Sequence, residues 1–222
     1  MSGPHALPAT RTQTVDRLLD AGAVAVLRLQ DPDRLLPVVN AIVAGGVTAI
    51  EVTMTVPGAL EQIARVADAL CDAVVLGVGS VLDADTARAA IAAGATYVVS
   101  PVFKPSVIEA AHALDAAAMP GCFTPTEIQA AHEAGADLVK VFPANVVGMP
   151  FFKGVLAPMP HLRLMPTGGV TLDNAGDWLR AGACAVGVGS ALLDNAAIAE
   201  GRYEVLTQNA RRLQASLATA RP

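Results

Sequence analysis

The chain is 222 residues long, carries a formal net charge of −5, and is 53% hydrophobic with only 4% aromatic residues. That length suits one domain with a sizeable and mostly aliphatic core. The negative charge and the absence of basic runs argue against nucleic acid as a partner. No apolar stretch approaches the roughly 18 residues that a membrane span needs, so we expect no membrane partner either.

Residues 1–14 contain Pro, His, Thr and Arg but no apolar signal core, so we expect a flexible N-terminal arm there and a first helix near Val15. Residues 15–222 are then expected to form the folded domain. The cysteines are odd in number and scattered, a pattern that favours a reducing cytoplasm over a disulfide framework. None of them lies at a metal-ligand spacing, so the sequence predicts neither a metal site nor a cofactor.

Apolar, β-branched runs alternate with Ala-rich helical stretches along the chain. The predicted strands cover residues 23–28, 48–53, 74–79, 97–100, 118–121, 138–142, 163–166 and 184–188. The predicted helices between and after them cover residues 31–45, 57–70, 83–93, 105–117, 125–134, 149–157, 173–181 and 200–217. Helix start signals, such as Thr124-Pro125 followed by Glu127, support several of these boundaries.

Eight such strand–helix units without a long linker predict a closed (β/α)8 TIM barrel, a single α/β domain with an extra N-terminal helix. A doubly wound open sheet is the alternative. It is disfavoured because the turn after the first strand, from Arg28 to Asp31, lacks the GxGxxG glycines of a dinucleotide-binding crossover.

A short sequence motif recurs at the second, fourth, sixth and eighth predicted strands. In each case a Gly at the end of a helix is followed directly by the strand. Alternate strands of such a barrel share interior layers, so strand periodicity predicts three of them. The lowest is an apolar plug of Ala49, Tyr97, Leu138 and Ala185. The middle layer holds Glu51, Val99, Lys140 and Gly187, and the upper layer, next to the mouth, holds Thr53, Pro101, Phe142 and Gly189.

Glu51 and Lys140 are therefore predicted to face each other across the interior, with Gly187 leaving space between them. A buried ammonium loses hydration, which favours the neutral amine, and a neutral amine beside a carbonyl forms a Schiff base. Lys140 is one of three lysines in the chain. A carboxyl in apolar surroundings, such as Glu51, suits general acid/base catalysis. A structural buried ion pair is the alternative interpretation of this spacing.

Two glycine motifs end the last two predicted strands, Pro166-Thr-Gly-Gly169 and Gly187-Val-Gly-Ser190. Barrels commonly bind phosphate there through backbone N–H groups and a helix N-terminus, and a short helix is predicted over residues 191–195. The alternative is that both motifs are tight turns. Arg28 at the mouth is a candidate anion partner, or else it caps a neighbouring strand end. The hydroxyl groups near the mouth that could bind a carboxylate are those of Ser80 and Thr167.

Together these motifs resemble the family of 2-keto-3-deoxy-6-phosphogluconate (KDPG) and 4-hydroxy-2-oxoglutarate (KHG) aldolases. The matching motifs keep their order over residues 20–195, and the most specific are Lys140-Val-Phe-Pro143 and Pro166-Thr-Gly-Gly169. The other matching segments are 24–28, 45–53, 77–81, 100–101, 120–121, 124–127 and 187–190. The resemblance implies a class I, Schiff-base aldolase on a barrel that needs no metal or cofactor, and a homotrimer.

The resemblance also implies roles for individual residues. Lys140 would bond pyruvate and Glu51 would be the general acid/base. The phosphate loops would comprise Gly168, Gly169 and Ser190, and Thr167 and Ser80 would lie near the pyruvate moiety. The further residues expected around the substrate are Arg28, Thr53, Gly189, Pro101 and Phe142, the last two of which would exclude water.

The expected reaction is the reversible cleavage of 2-dehydro-3-deoxy-6-phosphogluconate to pyruvate and D-glyceraldehyde 3-phosphate. Some family members place an Arg shortly after the Glu, where this chain has Met54-Thr-Val-Pro57, and a Glu is frequent at the position of Asn145. The galactonate epimer and 4-hydroxy-2-oxoglutarate therefore stay open as substrates. A phosphate-binding barrel enzyme without a covalent intermediate and an inactive metabolite-binding scaffold are more distant alternatives.

Overall fold

In the computed structural model, which describes residues 9–220, parallel strands alternate with helices along the chain. The strands are β1 (Ala23–Leu27), β2 (Ala49–Thr53), β3 (Val75–Gly79), β4 (Tyr97–Val99), β5 (Ala117–Met119), β6 (Gly121–Cys122), β7 (Val139–Val141), β8 (Leu164–Pro166) and β9 (Val186–Val188). The helices are α1 (Arg11–Ala21), α2 (Leu35–Ala44), α3 (Ala59–Leu70), α4 (Ala84–Ala92), α5 (Pro105–His112), α6 (Pro125–Glu133), α7 (Ala144–Leu156), α8 (Ala175–Arg180), α9 (Asn195–Glu200) and α10 (Glu204–Ala218). Among residues 9–220, no helix has the length and apolar character that crossing a membrane requires.

The strands form a curled parallel sheet in two hydrogen-bonded parts. Six strands pair in the order β5-β4-β3-β2-β1-β9, and three pair in the order β6-β7-β8. β5 and β6 belong to one extended segment that is interrupted at Pro120, which has no N–H to donate but whose carbonyl accepts from the Lys140 N–H at 2.9 Å. A single parallel bridge between Thr167 and Gly187 links the β8 side to β9. The doubly wound alternative does not fit this pairing, in which β1 lies between β2 and β9.

Every predicted strand has a counterpart whose ends lie within two residues of the prediction. The first helix, however, begins at Arg11 and not near Val15. Thr10 accepts a hydrogen bond from the Gln13 N–H while the Gln13 side chain accepts from the Thr10 N–H, a capping box that fixes the earlier start. The predicted arm is therefore wrong for residues 11–14, and its residues 1–8 lie outside the described residues.

Two further helix predictions are wrong at one end. The helix predicted over residues 105–117 ends at His112, because Asp115 takes a left-handed conformation (φ 56°) and β5 starts at Ala117. The helix predicted to begin at residue 149 begins at Ala144, and it is broken at Gly148, whose φ of 70° is not helical. Both differences occur at residues with a positive φ, and the spacing of apolar residues in a sequence does not reveal such a backbone conformation.

Alternate strand residues define an interior cluster, which we name for its place inside the curled sheet. Its members are Val15, Leu18, Val24, Ala49, Val75, Tyr97, Val99, Ala117, Met119, Leu138, Met165 and Ala185. Strand residues of the other parity, such as Ile50 and Val139, pack in the larger core that includes the helices. The predicted lowest layer is confirmed, since its four residues all belong to the interior cluster. Val15 and Leu18 come from α1, so this extra N-terminal helix covers one end of the interior.

Candidate active site

Glu51 lies on β2 with its side chain fully buried. Its neighbour two residues earlier, Ala49, belongs to the interior cluster, so alternation directs Glu51 to the same face. The carboxyl group lies over Gly79 of β3, where a Cβ atom would be 1.8 Å from Oε1 of Glu51. Within the described chain, neither oxygen of this carboxyl has a hydrogen-bond partner.

The environment of Glu51 favours its protonated form. Burial raises the pKa of Glu51, and the nearby positive charges of Lys140 and Arg28 oppose this by lowering it. The net direction is upward, which keeps a proton available at a higher pH than an exposed glutamate would. A carboxyl of this kind can both give and take a proton, as general acid/base catalysis requires.

Lys140 lies on β7, two residues after interior-facing Leu138, and is only 3% exposed. Its Nζ is 5.2 Å from the centre of the Phe142 ring. Lys104 and Lys153 are exposed, and the Nζ of Lys104 donates to the Leu82 carbonyl. Burial therefore distinguishes Lys140 from the other two lysines.

Glu51 and Lys140 are neighbours without being a bonded pair. The charge of Lys140 is close enough to lower the pKa of Glu51, yet both carboxyl oxygens of Glu51 lack a hydrogen-bond partner in the part of the chain that the structure describes. A buried ion pair that served stability would satisfy its polar atoms. The ion-pair interpretation therefore does not fit, and both groups are left free to act on a ligand.

Thr167, which follows β8, also faces this interior. It is 7% exposed, its hydroxyl has no hydrogen-bond partner among residues 9–220, and a Cβ at Gly187 would be 2.3 Å from that hydroxyl. Gly187 thus leaves room, as predicted, and the group that uses the room is the Thr167 side chain. An unpaired buried hydroxyl here is a ready partner for a ligand carboxylate or hydroxyl.

The hydroxyl of Thr53 is engaged within the fold. It donates to the Leu27 carbonyl at 2.9 Å and lies 2.7 Å from the hydroxyl of Thr55. Since its single proton goes to Leu27, Thr55 donates to it. Thr53 therefore ties the end of β2 to β1, and its proton is not available to a ligand in this arrangement.

Ser80 follows β3 at the same edge of the sheet and has a left-handed backbone (φ 62°). A non-glycine residue in this region carries strain, which proteins tend to keep at functional sites. Ser80 directly follows Gly79, over which the Glu51 carboxyl lies. The strained turn is therefore adjacent to the acid/base candidate.

A cavity of about 310 Å³ brings together Arg28 and the end of β9. Besides Val26 and Leu193, it is lined by Arg28, Gly189, Ser190 and Asn195. A guanidinium, a hydroxyl and an amide that converge in this way can hold an anion. The helix predicted over residues 191–195 is absent from the described chain, and α9 begins only at Asn195, where the Asp194 side chain caps it.

The other predicted phosphate loop is the turn after β8. Gly168 and Gly169 both have positive φ, 91° and 76°, so the turn after β8 depends on glycine. Their open sides face Asn145 at the start of α7, and a Cβ at Gly169 would be 2.5 Å from the Cβ of Asn145. The cavity thus brings Arg28 together with Gly189 and Ser190, and the place of Gly168 and Gly169 in a phosphate site stays a prediction.

Pro101 and Phe142 line a second cavity, of about 290 Å³, on the side of the mouth beyond β6. Phe103, Phe123 and Pro143 also line it, so this side of the mouth is strongly apolar. Phe142 contacts both this cavity and Lys140. That Pro101 and Phe142 exclude water from the amine stays a prediction.

Sequence reasoning missed the residues that make space for the buried groups. Gly77 and Gly79 resemble a crowded strand end in the sequence, but they alternate on the interior face of β3 beneath Tyr97 and Glu51. Tyr97 is predicted as part of an ordinary apolar plug, yet its buried hydroxyl has no partner within residues 9–220. The signal that could have revealed this is the Gly-x-Gly spacing on one strand next to a carboxylate strand.

Glu51→Gln should remove a pH-dependent loss of stability. Because the pKa of Glu51 is raised on folding, the folded chain binds more protons than the unfolded one between the two pKa values. The free energy of unfolding therefore falls as pH rises from the unfolded pKa, about 4.3, to the folded pKa, by about 1.4 kcal/mol for each pH unit between them. Denaturant unfolding at a series of pH values should show this fall in the native chain and not in Glu51→Gln.

Glu109→Gln is the matched control, because Glu109 is an exposed carboxylate on α5. It should keep the pH dependence of the native chain. A difference between the native chain and Glu51→Gln that stays constant with pH would contradict the raised pKa.

The sequence is similar to aldolases along most of its length. The family profile of KDPG and KHG aldolase matches residues 15–209. The chain is 36% identical over 190 residues to the 2-dehydro-3-deoxy-phosphogluconate aldolase of Treponema pallidum, covering 83% of this chain and 88% of the relative. It is 34% identical over 170 residues to the 2-dehydro-3-deoxy-6-phosphogalactonate aldolase of Escherichia coli, covering 76% of this chain and 83% of the relative.

The fold is similar as well. The solved 2-keto-3-deoxy-6-phosphogluconate aldolase of Zymomonas mobilis ZM4 with 3-phosphoglycerate superposes with a TM-score of 0.83 at 30% identity, covering 96% of this chain and 100% of that one. Sequence and fold agree over the segment that holds the buried lysine and carboxyl. The chain therefore belongs to the KDPG and KHG aldolase family.

Proposed function

We propose that this protein is a class I aldolase that reversibly cleaves 2-dehydro-3-deoxy-6-phosphogluconate to pyruvate and D-glyceraldehyde 3-phosphate. One observation carries the proposal: a buried amine, Lys140, and a buried carboxyl without a hydrogen-bond partner among residues 9–220, Glu51, occupy the same sheet interior. Burying two such groups is costly, and packing alone gives no reason for it. Membership in an aldolase family and the activities of the relatives support the same reaction.

In the proposed mechanism, neutral Lys140 attacks the C2 carbonyl of the substrate and forms a carbinolamine, which loses water to give an iminium. Glu51, as the carboxylate, takes the proton of the C4 hydroxyl. The C3–C4 bond breaks, its electron pair moves to the iminium to form an enamine, and the aldehyde leaves. Protonated Glu51 returns its proton to C3, and water hydrolyses the resulting imine to pyruvate and free Lys140.

We place the phosphate of the substrate in the cavity of Arg28, Gly189, Ser190 and Asn195. The support is the convergence of one cation with neutral donors, in a chain whose net charge of −5 would otherwise repel an anion. The related Zymomonas mobilis aldolase was solved with 3-phosphoglycerate, a phosphorylated three-carbon acid. Binding energy from a phosphate remote from C3 and C4 would help to position the reacting carbons.

The galactonate epimer is the second candidate substrate. The observation in its favour is the similarity to the 2-dehydro-3-deoxy-6-phosphogalactonate aldolase of Escherichia coli, which is nearly as high as that to the Treponema pallidum enzyme. The two substrates differ at C4, whose hydroxyl must meet Glu51. Relative kcat/KM for the two epimers and for 4-hydroxy-2-oxoglutarate separates these possibilities.

We further propose that the sheet closes into a (β/α)8 barrel and that the protein is a cytoplasmic homotrimer. The bridge between Thr167 and Gly187 and the continuity of β5 with β6 support closure. Exposed apolar side chains beside the mouth support self-association, among them Val102, Phe123 and Val146, the last of which is 65% exposed. Cys71, Cys122 and Cys184 are free thiols, which suits a reducing compartment.

Borohydride reduction in the presence of pyruvate should fix a stable adduct on Lys140, because reduction traps the imine. Peptide mapping by mass spectrometry locates the adduct. Lys140→Arg should keep the positive charge but lose both the adduct and measurable turnover. Lys153→Arg, a change at an exposed lysine, should retain both. An adduct at another residue, or none in the active native protein, would refute the covalent mechanism and favour a non-covalent barrel enzyme or an inactive scaffold.

Gly79→Ala should lower kcat/KM by about 100-fold or more, the usual loss when a general acid/base is misplaced. The new Cβ would overlap Oε1 of Glu51 at 1.8 Å and force the carboxyl to turn away. Gly154→Ala is the matched control, because no atom lies within 4 Å of the added Cβ there. Pyruvate release in a coupled assay measures both variants, and unchanged activity in Gly79→Ala would contradict the role of Glu51.

Arg28→Ala should raise KM for the six-carbon phosphorylated substrate by about tenfold, the order expected for an exposed charge-assisted contact. It should change kcat/KM for unphosphorylated 4-hydroxy-2-oxoglutarate far less. The ratio of kcat/KM between the two substrates at one pH cancels the effect that Arg28 has on Glu51 in the free enzyme, which both substrates share. Arg88→Ala, at an exposed helix position, should leave this ratio unchanged. Equal losses on both substrates would place the phosphate elsewhere.

A further inference from the structure

The hydroxyl of Tyr97 is an unexplained polar group in the interior cluster. Tyr97 is fully buried, and its hydroxyl has no hydrogen-bond partner in the described part of the chain. Buried hydroxyls are nearly always paired, and Phe would fill the same space without desolvating an O–H group. The hydroxyl therefore calls for a role that packing alone does not supply.

Strand register places this side chain beside Glu51. Glu51 of β2 pairs with Gly77 of β3, and Gly77 pairs with Tyr97 of β4. The Tyr97 ring lies over Gly77, where a Cβ would be 2.4 Å from the Cζ atom that bears the hydroxyl. Glu51 lies over Gly79, two residues further along the same face of β3. Two successive interior glycines of one strand thus hold the phenol and the carboxyl side by side.

Two positively charged side chains act on the carboxyl group of Glu51. Lys140 on β7 and Arg28 after β1 supply positive charge, and both lower the pKa of Glu51. From α1, which covers the far end of the interior, the buried residues are Thr14, Val15 and Leu18, none of which is charged.

The remaining strands of the described chain bring no further titratable group to this interior. The Cys184 thiol packs against the interior cluster just before β9, and burial raises its pKa to about 12. β3 presents Gly77 and Gly79 to it, and β9 presents Gly187. The interior-facing residues of β5 and β8 are Ala117, Met119 and Met165. Within residues 9–220, Tyr97 of β4 is the one member of the interior cluster whose side chain carries a neutral O–H donor.

We propose that Tyr97 is a positioning residue, whose hydroxyl donates through one buried water to the Glu51 carboxylate and holds that group over Gly79. The proposal rests on the proposed acid/base role of Glu51. A bridging water would give a partner both to the Tyr97 hydroxyl and to the Glu51 carboxyl, neither of which has one among residues 9–220. Burial and the neighbouring Glu51 raise the pKa of Tyr97 well above its usual value, so the phenol stays a donor throughout the working range.

The test is the pH profile of kcat/KM for Tyr97→Phe. A hydrogen bond to the ionised form stabilises the carboxylate, so loss of the hydroxyl should raise the pKa of Glu51. The acid limb of the profile should move upward by about one pH unit, which is about a tenfold loss of kcat/KM on that limb. Borohydride trapping of pyruvate on Lys140 should persist, which separates failure of this inference from failure of the aldolase assignment.

Thr14→Val is the matched control. It removes another buried hydroxyl that lacks a partner within residues 9–220, but on α1 and outside the site. Its acid limb should coincide with that of the native enzyme. If the acid limbs of Tyr97→Phe and the native enzyme coincide, the hydroxyl is a bystander and the inference is overturned.

Site-specific replacement of Tyr97 by 3-fluorotyrosine gives a second measurement that does not depend on how Phe is tolerated. The fluorinated phenol is the stronger donor, so the acid limb should move downward, opposite to the effect of Tyr97→Phe. A shift in the same direction for both replacements would indicate altered packing and would also overturn the inference.

Discussion

The site depends on space that side chains do not fill. On the interior face of the curled sheet, Gly77, Gly79 and Gly187 stand where a Cβ atom would be 2.3, 1.8 and 2.3 Å from Tyr97, Glu51 and Thr167, respectively. Each glycine permits a larger polar side chain from a neighbouring strand to lie across it. Protein interiors are packed too tightly for these groups to coexist with even one added methyl group. The arrangement of the candidate catalytic groups is therefore set as much by the interior glycines of β3 and β9 as by the strands that carry the polar side chains.

The buried carboxyl is unfavourable for stability and useful for chemistry for the same reason. Without hydrogen-bond partners among residues 9–220, Glu51 is easier to protonate, and the fold must tolerate the cost of ionising it. The surrounding interior cluster is largely aliphatic, and burial of its apolar surface stabilises the fold and offsets that cost. A direct pair with Lys140 would relieve it, but would hold the amine as an ammonium and remove both groups from catalysis. Separation of the two charges is thus the feature that distinguishes this interior from a structural ion pair.

The sequence was sufficient for features that follow from strand alternation. The interior position of Glu51 and Lys140 and the apolar plug below them follow from a period of two in buried strands. It was insufficient where side chains cross between strands. That Tyr97 lies over Gly77 depends on the register of β3 with β4, which no local pattern encodes. That the open sides of Gly168 and Gly169 face Asn145 likewise depends on how the turn after β8 meets the start of α7.

Arg28 connects the two parts of the site. It lines the cavity at the end of β9, and its charge also lowers the pKa of Glu51. An anion bound to Arg28 cancels part of that charge, and the pKa of Glu51 then rises because burial is less opposed. Substrate binding at the proposed phosphate site and protonation of Glu51 would therefore be coupled, with the same sign in either direction. A phosphorylated substrate would promote the protonated form of Glu51, which assists loss of water from the carbinolamine, whereas an unphosphorylated one would not. The exposed guanidinium at the mouth would thus act on the proposed recognition of the phosphate and on the proton chemistry beneath it.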